Sequence, residues 1–202
     1  MHPSLKKFIP QLAFVLLGIA GTVAQADSTI IIIRHGEKPA LGLGQLTCQG
    51  LNRSLALAPL LQARYGNPVA VYAPDPSKLK ADAGKPYAYV RPLATIEPLA
   101  IRAGLPVNVR WAMDDIEPLA QQILSTPSGT QVIAWEHHWG EALAKRILKN
   151  LGANPEDVPA WNNEDYDSIY VIQTTEIAGQ PKKATFQLEK QNLNALSATC
   201  PG

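Results

Sequence analysis

The chain has 202 residues, 46% hydrophobic and 17% charged, with 18 Lys and Arg against 17 Asp and Glu and a net charge of +1. That balance excludes a disordered chain, which needs less apolar content and more net charge, and a polybasic nucleic-acid binder. Two cysteines are too few for a disulfide-framework mini-protein or a four-thiolate zinc site.

The chain opens with Lys6 and Lys7, then an apolar run from Phe8 to Val23, then Ala24-Gln25-Ala26. A basic start, an apolar core and a small-x-small site predict a secretory signal peptide over residues 1–26. The run covers 16 residues and contains Pro10, Gly18 and Gly21, short of the roughly 20 apolar residues that span a bilayer. No stable membrane span is therefore expected after cleavage. Residues 27–202 form the expected single domain, 176 residues carrying 16 basic and 17 acidic side chains, a net charge of −1. An exported protein, periplasmic or secreted, meets an oxidising compartment, which makes Cys48 and Cys200 a candidate disulfide. Closing so long a loop contributes about 4–5 kcal/mol in the chain-entropy description.

Within the domain, Thr29 to Ile33 is a continuous β-branched run suited to a strand buried on both faces. Leu51, Leu55, Ala58 and Leu61 follow at helical spacing up to Tyr65-Gly66, with Pro59 predicting a kink. Val69 to Ala73 reads as a second strand. Pro74 to Pro86, rich in Pro, Asp, Lys and Gly, reads as a loop. A helix is expected over 92–103 with Leu93, Ile96 and Ala100 on one face. Asp114 or Asp115 can cap the next helix, which carries Ile116, Leu119, Ala120 and Ile123. Gln131 to Trp135 is a further buried strand, and Leu143, Ile147 and Leu151 mark a helix stopping at Gly152. Ser168 to Gln173 and Ala184 to Glu189 read as closing strands around a turn at Ala178-Gly179-Gln180-Pro181. The alternation predicts an α/β fold, a three-layer sandwich with a mostly parallel central sheet flanked by helices.

In open α/β sheets, ligands bind beyond the carboxyl ends of the strands. The first strand ends in Arg34-His35-Gly36-Glu37. A guanidinium fork grips phosphate oxygens in pairs, and an adjacent imidazole presents a nucleophilic nitrogen when its other nitrogen is held by a carbonyl. A glycine there lets the backbone come close to a bound anion.

These residues, with Leu46-Thr47-Cys48-Gln49-Gly50, Arg53, Arg91-Pro92-Leu93-Ala94-Thr95 and Val132-Ile133-Ala134-Trp135-Glu136-His137, occur in an order that resembles the histidine phosphatase superfamily, the phosphoglycerate-mutase-like fold. The matches span about residues 29 to 150. The resemblance implies that His35 attacks phosphorus and becomes a phosphohistidine. It also implies that Arg34 and Arg91 hold the non-bridging oxygens and that His137 completes the pocket. Two arginines and two histidines meet the needs of phosphoryl transfer with neither metal nor cofactor. The expected substrate is a small or surface-exposed phosphorylated group.

The acid that protonates the leaving group is open between Glu136 and Asp114, with Glu37 also adjacent to the nucleophile. Trp139 and His138 could wall the pocket. Arg53 could touch the phosphate periphery or cover its helix with its stem. Two other readings stand beside the phosphatase. One is a metallohydrolase using Glu136, His137, His138, His35 and Glu37; the other is an inactive anion-binding module of the same fold. The oligomeric state is left open.

Overall fold

The computed structural model describes residues 25–177 and 182–202. The apolar stretch of the leader and the expected turn at Ala178–Pro181 lie outside the described residues. The elements run β1 (Gln25–Arg34), α1 (Cys48–Tyr65), β2 (Pro68–Tyr72), β3 (Leu79–Asp82), β4 (Lys85–Ala88) and α2 (Arg91–Ala103). They continue with β5 (Val107–Asn108), α3 (Ile116–Ser125), β6 (Gly129–Trp135), α4 (His137–Asn150), β7 (Ser168–Ile177) and β8 (Lys183–Lys190). Strand β1 starts at Gln25, so cleavage after Ala26 would remove its first two residues.

Six strands form one sheet in the order β5-β2-β6-β1-β7-β8. Strands β5, β2, β6 and β1 pair in parallel, whereas β7 is antiparallel to both β1 and β8. The sheet is therefore mixed rather than purely parallel. Strand β1 owes its central place to four consecutive isoleucines that serve both faces. Ile31 and Ile33 join the core under α1 and α2, with Val132, Ala134, Leu57, Leu61, Ile96 and Leu99. Ile30 and Ile32 point the other way, into the core under α3 and α4 with Ile133, Trp135, Leu119, Ile123, Leu143 and Ile147. Period-two alternation in buried strands thus supplies two hydrophobic faces, each covered by a pair of helices.

Two expectations are corrected. Leu51 and Leu55 lie on the exposed side of α1; its buried face consists of Gly50, Arg53, Ser54, Leu57, Ala58 and Leu61. A buried arginine and serine displaced the apolar stripe because Arg53 binds Glu37 in the segment after β1 and Ser54 donates to the Ala94 and Thr95 carbonyls of α2. Helix α1 continues without a break through Pro59. The stretch expected to be a loop over 74–86 holds the β3–β4 hairpin, with Asp82 opposite Lys85. Ala83 and Gly84 connect the strands with φ of 48° and 77°, the pair of positive values that a two-residue type I′ turn needs. The expected helix is present as α3, with Ile116, Leu119, Ala120 and Ile123 all buried. Asp115 is its N-cap residue, although its carboxylate accepts from the Ala112 N–H at 2.9 Å rather than from the helix.

Cys48, the first residue of α1, is bonded to Cys200, across 152 residues of chain. The side chain of Asn52 reinforces that attachment by donating to the carbonyls of Ser197 and Thr199, both at 2.8 Å. No helix of the described residues is long and apolar enough to cross a membrane.

Candidate active site

Parallel pairing puts the carboxyl ends of β1 and β6 side by side, with Arg34 in register with Trp135. The residues that follow each strand, His35 on one and Glu136-His137 on the other, are therefore neighbours, and the His35 N–H donates to the Trp135 carbonyl at 3.0 Å. This is the crevice expected at strand ends.

His35 is buried, at 2% exposure. Its Nδ1 lies 2.8 Å from the Gly36 carbonyl oxygen. A carbonyl only accepts, so Nδ1 carries the proton and the lone pair belongs to Nε2. Burial, opposed by that carbonyl and reinforced by the positive charges of Arg91, Arg34 and Lys80, holds the imidazole pKa well below the usual histidine range. A neutral ring with Nε2 unprotonated is the state a nucleophile requires.

Two helix starts lock the following segment. Thr47 is the N-cap of α1: its hydroxyl accepts from the Gly50 N–H at 3.1 Å, and its own N–H donates to the Glu37 carbonyl at 2.8 Å. Thr95 accepts from the Gly36 N–H at 2.9 Å and donates to the Arg91 carbonyl, one helical turn back, at 2.8 Å. The threonines of both motifs therefore fix the backbone that follows His35. Gly36 also has a packing role. A Cβ there would meet the Gly50 backbone, so its space belongs to helix α1.

Arg91 is 1% exposed and is held by Asp82 of the hairpin, at 2.5 Å through one guanidinium nitrogen and 3.3 Å through the other. It also donates to the Gly42 carbonyl at 3.1 Å. Arg34 donates to the carbonyls of Asn163 and Asp165, and its guanidinium stacks 3.9 Å from the centre of the Tyr166 ring. Tyr89 and Tyr166 flank His35, with ring centres 6.0 and 6.2 Å away. Around this centre Arg34 Nε, Arg91 Nε and the Tyr89 hydroxyl are buried with no hydrogen-bond partner among the described residues. Burial keeps that hydroxyl protonated by raising its pKa. The three orphans can all donate, so they are open to a ligand or water that supplies acceptors.

His137 is buried at the start of α4. Its Nε2 lies 2.6 Å from Asn163 Oδ1. Its Nδ1 lies 2.6 Å from Glu136 Oε1, close but at an angle poor for a hydrogen bond. Glu136 caps the same helix, accepting from the Trp139 N–H at 3.1 Å, and faces Lys80 Nζ at 4.0 Å. Burial alone would raise the Glu136 pKa, but His137, Lys80 and the Trp139 N–H outweigh it and bring it down to about 2. The carboxyl is therefore ionised around neutrality.

Arg34, His137, Lys38, Pro39, Asn163 and Tyr166 line a cleft of about 440 Å³. Asp114 stands apart from it. It is exposed, in a second cavity of about 200 Å³ walled by Lys80, Tyr89, Met113 and Trp139. Lys80 and Tyr89 link that cavity to the centre, through Glu136 and His35 respectively. Glu37 and Arg53 are engaged elsewhere. Arg53 is fully buried and binds Glu37 at 2.6 Å, with further bonds to Gln191, Leu193 and Asn194. His138 is exposed, its ring centre 4.0 Å from that of His137. Trp135 is core, with its indole N–H donating to the Met113 carbonyl at 2.8 Å.

Sequence reasoning missed Asp82, Tyr89, Asn163 and Tyr166. The Asp82-Ala83-Gly84-Lys85 turn was a readable hairpin signal. Nothing local in the Asn162–Tyr166 segment points to a site. No family model matches this chain, and no curated protein matches it.

Proposed function

We propose that this protein is an exported, metal-independent phosphatase of the histidine phosphatase superfamily, hydrolysing a phosphoester through a phosphohistidine on His35. The observation that carries the reading is a buried neutral imidazole, Nδ1 tied to a carbonyl, amid the orphaned donors Arg34 Nε, Arg91 Nε and Tyr89 Oη. A dianionic phosphoryl group supplies the missing acceptors and an electrophile for Nε2.

In this mechanism Nε2 of His35 attacks phosphorus in line as the P–O bond to the leaving group breaks. Arg34, Arg91 and His137 balance the charge on the equatorial oxygens, and the leaving oxygen takes a proton from an acid. Water then attacks the phosphohistidine, releasing phosphate and restoring His35. Glu136, ionised in the free protein and engaged with His137, Lys80 and the α4 N-terminus, suits orienting His137 rather than donating a proton. The remaining candidate for the acid is Asp114, in the neighbouring cavity that reaches Lys80 and Tyr89. Export is supported by the leader pattern and is compatible with the disulfide. A panel of phosphoesters, assayed with and without exhaustive chelation and against His35→Ala, tests the reading. Chelator-resistant phosphate release that disappears in the variant is expected.

A metallohydrolase has one observation in its favour: ligand atoms of Glu136, His137 and His138 lie within 4.8 Å of one another. Loss of all activity on chelation, restored by a divalent metal, would select it. An inactive anion-binding module would bind phosphate and release none from any ester.

A further inference from the structure

One short segment, 162–166, meets two of the proposed phosphate ligands together. The backbone carbonyls of Asn163 and Asp165 receive the same nitrogen of Arg34, and the Tyr166 ring covers the guanidinium face. The side chain of Asn163 reaches instead to His137, with Oδ1 2.6 Å from Nε2. The segment is anchored on both sides. The Asp165 carbonyl accepts from the Trp161 indole at 3.0 Å, and the Asp165 carboxylate receives Ser168 and Lys190 at 2.5 and 3.0 Å. The Asn163 side chain, by contrast, is on an exposed residue.

An amide oxygen only accepts, so Nε2 of His137 is the donor in this contact. Nδ1 of the same ring is buried 2.6 Å from the Glu136 carboxylate, where a second anion cannot reach it. The one N–H through which His137 could hold a phosphate oxygen is thus already paired with a protein oxygen.

We infer that Asn163 is a gate residue whose amide oxygen stands on His137 in the place of a phosphate oxygen, so that an incoming phosphoryl group binds by displacing it. This rests on the phosphatase reading of the site. The exchange needs only a turn of the Asn163 side chain. The carbonyls on Arg34 stay in place and keep the guanidinium oriented, with Nε left for the ligand. A neutral amide competes weakly against a dianion for one N–H. The gate therefore favours ligands with full phosphate charge over neutral or singly charged acceptors.

The test is calorimetric binding of inorganic phosphate to the full chain, as wild type, Asn163→Ala and Asn163→Asp. Removing the competing oxygen should tighten phosphate about five-fold, the equivalent of one net hydrogen bond. A carboxylate on His137 should weaken it about ten-fold or more. The gain from Asn163→Ala should vanish in a His137→Ala background, as a contact between those two residues requires. If wild type binds phosphate and Asn163→Ala binds it equally or more weakly, the gate is overturned while the phosphatase reading stands. Binding by Asn163→Ala alone would support the gate, and absence of binding in all variants would overturn both.

Discussion

Gly36 and Gly50 lie backbone against backbone: a Cβ on Gly36 would come within 2.8 Å of the Gly50 carbonyl oxygen, and one on Gly50 within 2.5 Å of the Glu37 carbonyl oxygen. The residue after His35 and the first turn of α1 are thereby in direct contact. Gly50→Ala cannot be accommodated by moving a flexible side chain, because the obstructing atoms are backbone. It should destabilise the fold by about 1–3 kcal/mol and displace the His35 segment. Urea denaturation measures the first effect. A fall in turnover larger than the unfolded fraction explains would mark the second.

Asp82 and Arg91 form an ion pair with side chains 5% and 1% exposed. Asp82→Ala leaves a buried guanidinium without its counter-charge, which costs about 3–5 kcal/mol in comparable sites. Asp82→Asn keeps the shape and one acceptor, so it should fold better than the alanine variant. Both should weaken phosphate binding, because Arg91 loses its orientation. Denaturation and phosphate titration of the two variants separate stability from binding.

The pH dependence follows from two depressed pKa values. His35 titrates well below its unfolded value when folded, so the unfolded state takes up a proton first as pH falls. Its contribution to stability is full above about pH 6.5 and is lost on acidification from there down to the folded value. Glu136 is brought to about 2 from an ordinary 4.5, so its contribution is present above about pH 4.5 and lost between there and about pH 2. Both signs agree: stability falls with acid, first through His35 and then through Glu136. Once the substrate's own second phosphate ionisation, at about 6, is divided out, the acidic limb of kcat/KM should lie below the usual histidine range, because the free imidazole stays neutral there. A limb centred at 6.5 or above would contradict the environment described for His35.

Cys48 and Cys200 join the tail to the start of α1. Replacing both by serine should lower stability by up to about 4–5 kcal/mol through the unfolded chain's regained freedom. The residues proposed to act in catalysis lie on other segments, so turnover at moderate temperature should survive. Comparing denaturation midpoints of the oxidised protein and the double variant checks the first point; an assay below both midpoints checks the second.

Much of the fold could be read because buried strands and amphipathic helices carry their periodicity locally. The run Ile30–Ile33 fixed β1, and Ile116, Leu119, Ala120 and Ile123 fixed α3. The stripe on α1 misled because Arg53 and Ser54 occupy its buried face for the sake of distant partners, Glu37 and the carbonyls of Ala94 and Thr95. Polar residues buried by a network look solvated in a sequence. The centre of the candidate site was legible for the complementary reason: Arg34, His35, Glu136 and His137 directly end or follow strands, where one rule of α/β sheets applies. Asp82, Asn163 and Tyr166 reach that centre from a hairpin and a loop. Their local sequence encodes a turn or nothing, and only the tertiary fold brings them in.

The central claim is that His35 becomes covalently phosphorylated. Rapid mixing of the protein with a turned-over phosphoester, quenching in base and mapping by mass spectrometry tests it most directly. An acid-labile, base-stable phosphoryl group is expected on the peptide containing His35 and absent from His35→Ala, whose turnover is also lost. Undiminished turnover in His35→Ala, or phosphorylation at another residue with His35 unmodified, would contradict it.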